Sequence, residues 1–413
     1  MNRQYPLAVL SFLGIALLLL VSGCEKNHER LYAVYDPIYI SHDSALAAIN
    51  GKTSQGMINP RKVYVTDAYI FISDSSRGIH IFDNRNPTHP VKVAFLAIPG
   101  NQDIAVKGNT LYADMFSELL AIDISDMHHV KITGELPHLF FNNGYGTTPT
   151  GDKIVVGYKI TYRKIADTRG LPGGGGIYFN LAPAAYAASF SSSTTPGVAG
   201  STAKMVLVGN NLYTVPDGHN IQVVNVENAA QPQAGVAVYG GIDLETIYPF
   251  KDKLFVGSKE GVFIYDLTDP ANPTPMGTFT HGTACDPVIA DDKYAYVTLH
   301  AGTSCGGTAN EMDILNVEYL FSPARVKVVP MTSPRGLTKD GNLLFVCDPP
   351  GVKIFDASNP ESPQLQNTLS VGNAYDVVAM NKHIVVMSDK GVYQFDYSRP
   401  GVPLLSVLSL TGH

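Results

Sequence analysis

The stretch Gly351-Val352-Lys353-Ile354-Phe355-Asp356 returns, with small variations, about every forty residues along this 413-residue chain. Other copies occupy residues 78–83 (GIHIFD), 119–123 (LLAID), 261–266 (GVFIYD) and 391–396 (GVYQFD). A fixed period of this size indicates one supersecondary unit that is copied many times. The repeat therefore decides the fold before any other feature of the sequence.

The polar residue that closes each copy serves as a marker for counting the units. The markers are Asp83, Asp123, Asn225, Asp266, Asn316, Asp356 and Asp396, and they are 40, 102, 41, 50, 40 and 40 residues apart. The gap of 102 is too long for one unit, and residues 153–158 (KIVVGY) repeat the strand that precedes other copies. We therefore predict a degraded eighth unit that ends near Asp167. If residues 144–200 are instead an excursion, the count is seven.

Each unit has the pattern of four short antiparallel strands separated by turn residues. In the last copy these strands are residues 375–380, 384–388, 392–396 and 403–410. Between the third and fourth strands stand paired prolines, such as Pro360 and Pro363, and the first of each pair forces a turn because it fixes φ and withholds a ladder donor. Repeated meanders of this kind suit a closed β-propeller better than an open solenoid. The expected fold is all-β, a propeller over residues 59–413 with eight four-stranded blades, or seven as the alternative.

Two insertions interrupt the repeat. The longer one, at about residues 170–200, is rich in Gly and Ser and cannot bury enough apolar surface to order itself, so we predict a disordered surface loop. The shorter one, residues 301–310, accounts for the marker spacing of 50. These insertions are where the chain departs from a generic scaffold, and function is expected there first.

The N-terminus has the pattern of an export signal over residues 1–23. Arg3 precedes an apolar stretch, residues 6–21, that is too short and too early for a confident membrane span. The ending Leu20-Val21-Ser22-Gly23-Cys24 resembles the bacterial lipobox, which implies that Cys24 becomes acylated after cleavage. An ordinary signal peptide with a chance cysteine is the alternative.

Lipidation of Cys24 would anchor the mature protein to a membrane without spanning it. Each buried acyl methylene contributes about 0.8 kcal/mol, so several chains hold a soluble domain at a bilayer. Residue 25 is Glu rather than the Asp of the inner-membrane retention signal, which points to the outer membrane, on its periplasmic or cell-surface face. Residues 24–58 are then a tether between the lipid and the propeller.

The remaining cysteines fit an exported protein. Cys285 and Cys305 bracket a predicted hairpin and lie beyond its open end, so an oxidising compartment favours a disulfide between them, with two free thiols as the alternative. Cys347 follows an apolar run and is expected to be a small buried core residue. The net charge of -7 offers no basic stripe for phosphates, which disfavours a nucleic-acid partner.

Several of these motifs together resemble the LVIVD repeat proteins. The similarity rests on strands that end Ile-Phe-Asp, on the Asn-Pro and Pro turn, and on a Gly followed by Asp-Ile-Ala-Val (103–106) or Asp-Val-Val (376–378). Members of this family are lipoproteins and surface proteins common in Bacteroidota and similar bacteria. The resemblance implies a propeller at a membrane or cell surface, and it implies no particular activity or catalytic residue.

A candidate ligand site lies where the first strand of each blade begins. Alignment of the copies puts Asp103, Asp286 and Asp376 at equivalent positions, with Arg335 in the same slot of another unit. In a propeller these first strands line the central channel, so the ring of carboxylates could bind a polar ligand or a divalent cation such as Ca²⁺. The alternative is that each Asp accepts hydrogen bonds from its own inter-blade turn. The sequence indicates no other cofactor.

Two functions from different classes follow. The favoured one is a monomeric, lipid-anchored, non-catalytic propeller that binds a protein or glycan partner through its loops. The alternative is a hydrolase or lyase with a metal ion in the channel. Binding is favoured because propellers often act as platforms and no cluster of nucleophile, base and metal ligands stands out.

Overall fold

The computed structural model describes residues 30–51, 55–75, 77–140, 153–165, 197–282, 287–302 and 307–410. These residues form an all-β protein with one short helix. Before the ring come strand β1 (Arg30–Ser41) and helix α1 (His42–Ala47). Seven sheets of four consecutive antiparallel strands follow, and we number them as blades along the chain.

The strands of each blade are consecutive in sequence, with two further strands between blades 2 and 3. Blade 1 comprises β2 (Pro60–Thr66), β3 (Tyr69–Asp74), β4 (Gly78–Asp83) and β5 (Val91–Leu96). Blade 2 comprises β6 (Ile104–Lys107), β7 (Thr110–Met115), β8 (Glu118–Asp123) and β9 (Lys131–Leu136). The two interposed strands are β10 (Lys153–Ile165) and β11 (Gly197–Ala199). Blade 3 comprises β12 (Met205–Val208), β13 (Asn211–Thr214), β14 (Asn220–Asn225) and β15 (Gln233–Tyr239).

The other four blades repeat the same order. Blade 4 comprises β16 (Leu244–Phe250), β17 (Lys253–Ser258), β18 (Gly261–Asp266) and β19 (Thr274–Thr280). Blade 5 comprises β20 (Val288–Ala290), β21 (Tyr294–Leu299), β22 (Glu311–Asn316) and β23 (Ala324–Pro330). Blade 6 comprises β24 (Leu337–Asp340), β25 (Leu343–Asp348), β26 (Gly351–Asp356) and β27 (Gln364–Ser370). Blade 7 comprises β28 (Ala374–Met380), β29 (His383–Ser388), β30 (Gly391–Asp396) and β31 (Leu404–Ser409).

The prediction of eight blades is wrong, and the alternative of seven is correct. Strand β10, which was expected to begin the extra unit, pairs instead with β1 in a separate two-stranded sheet. Its apolar alternation indicates a strand but cannot say which partner the strand has. The gap of 102 residues between Asp123 and Asn225 therefore holds an excursion rather than a blade.

The longer insertion ends in an ordered strand. The predicted disordered loop at residues 170–200 falls mostly outside the described residues, but its last part forms β11, which pairs antiparallel with β2. Blade 1 thereby gains a fifth strand. A three-residue strand was not predictable from the Gly-rich composition, because its order comes from the neighbouring sheet.

The markers of the repeat have a common structural role. In every blade the marker side chain accepts a hydrogen bond from the backbone N–H two residues later, at 2.8 to 3.1 Å, which turns the chain out of the third strand. Seven such turns close seven third strands. The Asp or Asn at the end of each copy therefore recurs because its side chain stabilises the turn that follows the third strand.

Apolar side chains between neighbouring blades form the core, and polar contacts help to join the last blade to the first. Val65 and Ile72 of blade 1 pack in one cluster with Val385 and Met387 of blade 7. Across the same boundary, the buried amide of Gln394 exchanges hydrogen bonds of 3.0 and 2.9 Å with the Asn84 amide. This boundary closes the ring.

The chain forms two compact units. Among the described residues, one contains residues 30–38 and 157–165, and the other, with the ring, contains the rest. In the first unit, the Thr161 hydroxyl donates to Asp36 Oδ2 at 3.0 Å. Over the described part of the chain, no helix has the length and apolar character needed to cross a membrane.

Candidate functional site

The first strands of the seven blades surround the axis of the ring, and β11 lies among them. Each first strand contacts the first strand of the next blade, and β28 of blade 7 contacts β2 of blade 1, which completes the circle. Strand β11 pairs with β2 and also contacts β6 and β28. The segment 197–204, which we name the channel segment, therefore enters the channel that the candidate site was expected to line.

A buried ion pair joins the channel segment to blades 1 and 2. Lys62 Nζ lies 3.0 Å from Asp103 Oδ2 and donates to the Thr202 carbonyl at 2.9 Å. The Lys204 N–H donates to the same Asp103 oxygen at 2.5 Å, and the Ile104 N–H donates to the other oxygen at 2.8 Å. The Asp103 carboxylate is thus occupied by donors from three places in the chain.

Asp376 holds the other side of the channel segment. Its carboxylate accepts from the Ser201 N–H at 3.1 Å, from the Thr202 hydroxyl at 3.1 Å and from the Val377 N–H at 3.0 Å. The side chain is fully buried. Gly200 leaves the necessary space, since a Cβ there would lie 1.6 Å from Asp376 Oδ2.

Burial shifts the pKa values of the ionisable side chains at the channel. Burial lowers the pKa of Lys62 to about 8, against the opposing effect of the Asp103 charge. Burial also raises the pKa of Asp376 to about 7, although its hydrogen-bond donors oppose this change. The pKa of Asp114, which accepts from the Asp103 N–H at 2.7 Å, is raised to about 7 for the same reason.

The structure brings two of the four predicted site residues together at the channel. Asp103 and Asp376 both face the channel segment. Asp286 lies outside the described residues, and the register position of Asp376 in blade 5 belongs to Pro287, which pairs with Thr298, so the predicted equivalence of Asp286 is wrong. The bulge that begins blade 6 puts Gly336, not Arg335, in the register position of Asp376, because Arg335 and Gly336 both pair with Cys347. The carboxylates do accept backbone N–H groups of their own turns, as the alternative expected, and they also bind the channel segment.

The predicted lipidation and disulfide also fall beyond what the structure describes. Cys24, Cys285 and Cys305 are outside the described residues, so both predictions stand untested. Cys347 is free and fully buried, as expected for a core residue.

Sequence reasoning missed the cations of the site. Lys62 and Lys204 occupy the position of Asp103 and Asp376 in blades 1 and 3, as the pairing of Lys62 with Ser73 and of Asp376 with Met387 shows. Aligning all copies by strand register would have found these two lysines beside the two carboxylates, and it puts the uncharged residues Thr246, Pro287 and Gly336 at the same position of blades 4, 5 and 6. The role of Ser201 and Thr202 could not be found, because nothing local indicates that an insertion returns through the channel.

The second insertion contains a short pattern that is known from serine hydrolases. Residues 302–306 (GTSCG) match the Gly-x-Ser-x-Gly pattern of serine hydrolases. That pattern requires a strand-to-helix turn, whereas here it lies between β21 and β22, two antiparallel strands of one blade. Residues 303–306 are outside the described residues, and the strand-to-strand setting does not fit a nucleophile elbow.

A groove lies beside the second insertion, between blades 4 and 5. Its volume is about 700 Å³, and its lining includes Phe279, His281, Leu299, Glu311 and Arg325. This size is in the range of ligand pockets. The groove thus offers an aromatic ring, a cation and a carboxylate on one surface.

The Arg325 guanidinium of this groove is paired with a buried carboxylate. Arg325 Nη1 lies 3.0 Å from Asp313 Oδ2, and the Asp313 side chain is fully buried. Burial raises the pKa of Asp313, while the Arg325 guanidinium opposes that rise. The ion pair holds Arg325 in one orientation at the edge of the groove.

Comparisons with known proteins agree with the repeat and the fold. Two LVIVD repeats match at residues 59–94 and 100–135, which are blades 1 and 2. No curated protein matches the sequence.

Three solved structures illustrate the similarity in fold. A protein from Lactobacillus plantarum has 11% identity and a TM-score of 0.54, over 85% of this chain and 96% of that one. Sqt1 from Saccharomyces cerevisiae has 9% identity and a TM-score of 0.52, over 91% and 88%. The periplasmic gluconolactonase of Pseudomonas aeruginosa has 11% identity and a TM-score of 0.50, over 85% and 96%. At these identities the likeness shows the propeller fold and nothing about activity.

Proposed function

We propose that this protein is a membrane-anchored, non-catalytic propeller that binds a partner with the face from which its insertions emerge. The observation that carries the proposal is the occupation of the channel carboxylates. Asp103 accepts hydrogen bonds from Lys62 and the channel segment, and Asp376 accepts them from the channel segment. Both carboxylates therefore hold the protein together internally instead of binding a metal ion or a substrate. A rigid, internally closed ring suits a binding platform.

The binding face follows from strand direction. Because the strands of a blade alternate in direction, the loops between blades and the loops from second to third strands emerge on the same face. The first insertion connects β9 to β12, and the second connects β21 to β22, so both emerge there. We name this side the insertion face, and the groove of His281 and Arg325 opens beside the second insertion.

The groove gives the proposal a specific place for contact. Its mixture of Phe279, Glu311 and Arg325 suits a polar chain such as a glycan or an extended peptide, which presents both hydrogen-bonding groups and flat apolar surface. The second and third strands that flank the insertion, β21 and β22, pair with each other along their length. A preformed groove lowers the ordering cost of binding.

Site-specific photo-cross-linking in living cells tests the partner. A photoreactive residue replaces Thr280, the last residue of β19 and part of the groove. The matched control is Ser370, which holds the equivalent position in blade 6, opposite the first Gly of its third strand. Defined adducts at Thr280 and not at Ser370 are expected. Equal adducts at both positions, or none, would contradict a binding groove.

Membrane attachment rests on the sequence around Cys24 and has its own test. In fractionated cells we expect the protein in the membrane pellet and in detergent extracts. A Cys24→Ser variant loses the acceptor sulfur and is expected in the soluble fraction. If this variant remained with the membranes, lipid anchoring through Cys24 would be wrong, while the binding groove would be unaffected.

The competing function, a metal-dependent hydrolase or lyase with its site at the channel, is tested with calcium. Titration calorimetry of the protein with Ca²⁺ is expected to show no binding that depends on Asp376, because its oxygens already accept protein donors. Stoichiometric Ca²⁺ binding that disappears in Asp376→Asn would overturn the non-catalytic proposal.

A further inference from the structure

Three side chains of metal-ligating type converge on the insertion face, away from the channel and the groove. His42 lies in α1, Glu118 begins β8 and Glu135 lies in β9. His42 Nε2 is 2.9 Å from Glu118 Oε2 and 3.3 Å from Glu135 Oε1. Three separate elements thus direct one nitrogen and two carboxylate oxygens to a common point, with all ligand atoms within 4.8 Å of one another.

The fold holds these side chains in place. Ser41 caps α1 by accepting from the Ser44 N–H at 3.2 Å, which fixes His42 in the first turn. Ala45 of the same helix is fully buried in the core that includes Leu96 of blade 1 and Leu111 of blade 2. Glu118 and Glu135 belong to neighbouring strands, where Leu120 pairs with Glu135. The site is therefore preorganised by packing.

One shared proton cannot satisfy all three side chains. His42 Nε2 carries at most one proton. That proton can form a well-aligned hydrogen bond to Glu118, but it cannot form a second one to Glu135 at the same time. The two carboxylates also repel each other, because their ligand oxygens lie within 4.8 Å of one another. All three side chains are only 19 to 30% exposed. A divalent cation would accept a lone pair from all three ligands and cancel the repulsion.

The distances suit a small transition-metal ion. With metal–ligand bonds of about 2.0 to 2.1 Å in a tetrahedron, neighbouring ligand atoms lie about 3.3 Å apart. The separations of 2.9 and 3.3 Å are close to this value. Imidazole with carboxylate favours Zn²⁺ and similar ions over Ca²⁺, which takes six to eight oxygens.

We propose that His42, Glu118 and Glu135 bind one Zn²⁺ or similar divalent transition-metal ion, which joins α1 to blade 2. Three protein ligands leave a fourth position for water or for a group of a bound partner. The site lies between α1 and the end of β9, the strand that leads into the first insertion. A metal here would stabilise the docking of α1.

Zinc titration of the full mature chain tests the proposal. The protein is purified in detergent, stripped with a chelator, and titrated calorimetrically with ZnCl₂ at neutral pH. We expect one Zn²⁺ per chain, and Ca²⁺ should not compete. Loss of a direct ligand in His42→Ala or Glu135→Gln should weaken binding on the order of 100-fold, since even outer-shell changes cost about 10 to 100-fold.

The matched control is His129→Ala. His129 belongs to the same blade and pairs with Asp126 at 2.8 Å, but its side chain is 82% exposed. Among the described residues, no third metal-ligating side chain joins this pair. This variant should bind Zn²⁺ like the wild type. Absence of stoichiometric Zn²⁺ uptake by the wild type, or equal uptake by Glu135→Gln, would overturn the proposal.

Thermal unfolding gives a second readout that does not depend on heats of binding. Zn²⁺ that binds only the folded chain should raise the melting temperature of the wild type and of His129→Ala. It should not raise that of Glu135→Gln, whose fold is retained because the change removes a carboxylate repulsion. A Zn²⁺-induced rise of the same size in Glu135→Gln would also overturn the proposal.

Discussion

Lys62 of blade 1 and Asp103 at the start of blade 2 form a buried ion pair, with Nζ 3.0 Å from Oδ2 and both side chains less than a tenth exposed. The pair also contacts the channel segment through the Thr202 carbonyl and the Lys204 N–H. One pair therefore connects two blades and the returning end of the insertion.

Lys62→Met should strongly destabilise the protein. The change leaves Asp103 buried without its cation, and breaking a buried pair from one side costs about 3 to 5 kcal/mol. Urea unfolding measures this cost. The double variant Lys62→Met/Asp103→Asn should recover much of it, because no uncompensated charge remains. A single variant as stable as the wild type would contradict the importance of the pair.

The stability of the wild type should fall as pH rises from about 4 to about 7. Burial raises the pKa of Asp376 and that of Asp114 from their usual values to about 7, so the folded state retains protons that the unfolded state has released. Asp376→Asn should reduce the slope, and Asp376→Asn/Asp114→Asn should remove most of it. Unfolding in urea at several pH values measures the slope, and an unchanged slope in the double variant would contradict the assignment.

Gly200→Ala should loosen the channel segment. Its Cβ would lie 1.6 Å from Asp376 Oδ2, so either the segment or the carboxylate must move. We expect lower stability and faster proteolytic cleavage between blades 2 and 3. The control is Gly282→Ala, where the added Cβ meets nothing within 4 Å. Equal cleavage rates of the two variants would show that the channel segment is not held as described.

Gln394→Ala should weaken the closure of the ring. The Gln394 amide is fully buried and bonds to Asn84 of blade 1 and to the Ser406 hydroxyl at 3.0 Å. Leaving these partners unsatisfied costs about 1 to 3 kcal/mol. Gln366→Ala, at an exposed position in blade 6, is the control and should have little effect. The free energy of unfolding in urea measures both.

Thiol counting should reveal a single accessible cysteine only after unfolding. Cys347 is fully buried, and burial raises the pKa of its thiol, so it should not react in the native protein. If Cys24 is acylated and Cys285 is bonded to Cys305, the unfolded and unreduced protein has one thiol, and reduction gives three. Three thiols without reduction would contradict the disulfide.

Much of the fold could be predicted from local signals. The markers Asp83 and Asp356 each bind the N–H two residues later, so turn chemistry within a few residues fixes where third strands end. The blade count was harder, because the apolar pattern of β10 is that of any strand, and only pairing with β1 shows that it lies outside the ring. Half of the candidate site, Asp103 and Asp376, was found from repeat alignment, whereas its cations and the three ligands of the proposed zinc site were not.

The sequence by itself determined the repeated four-stranded unit, because alternation and turn residues act over a few positions and need no distant partner. Tertiary structure alone decided what the channel contains. Residues 197–204 are about a hundred positions from Asp103 and further from Asp376, and no local pattern predicts that they meet. The room that those carboxylates leave for a ligand depends on that meeting, since Ser201, Thr202 and Lys204 donate to their oxygens only when the insertion returns through the ring.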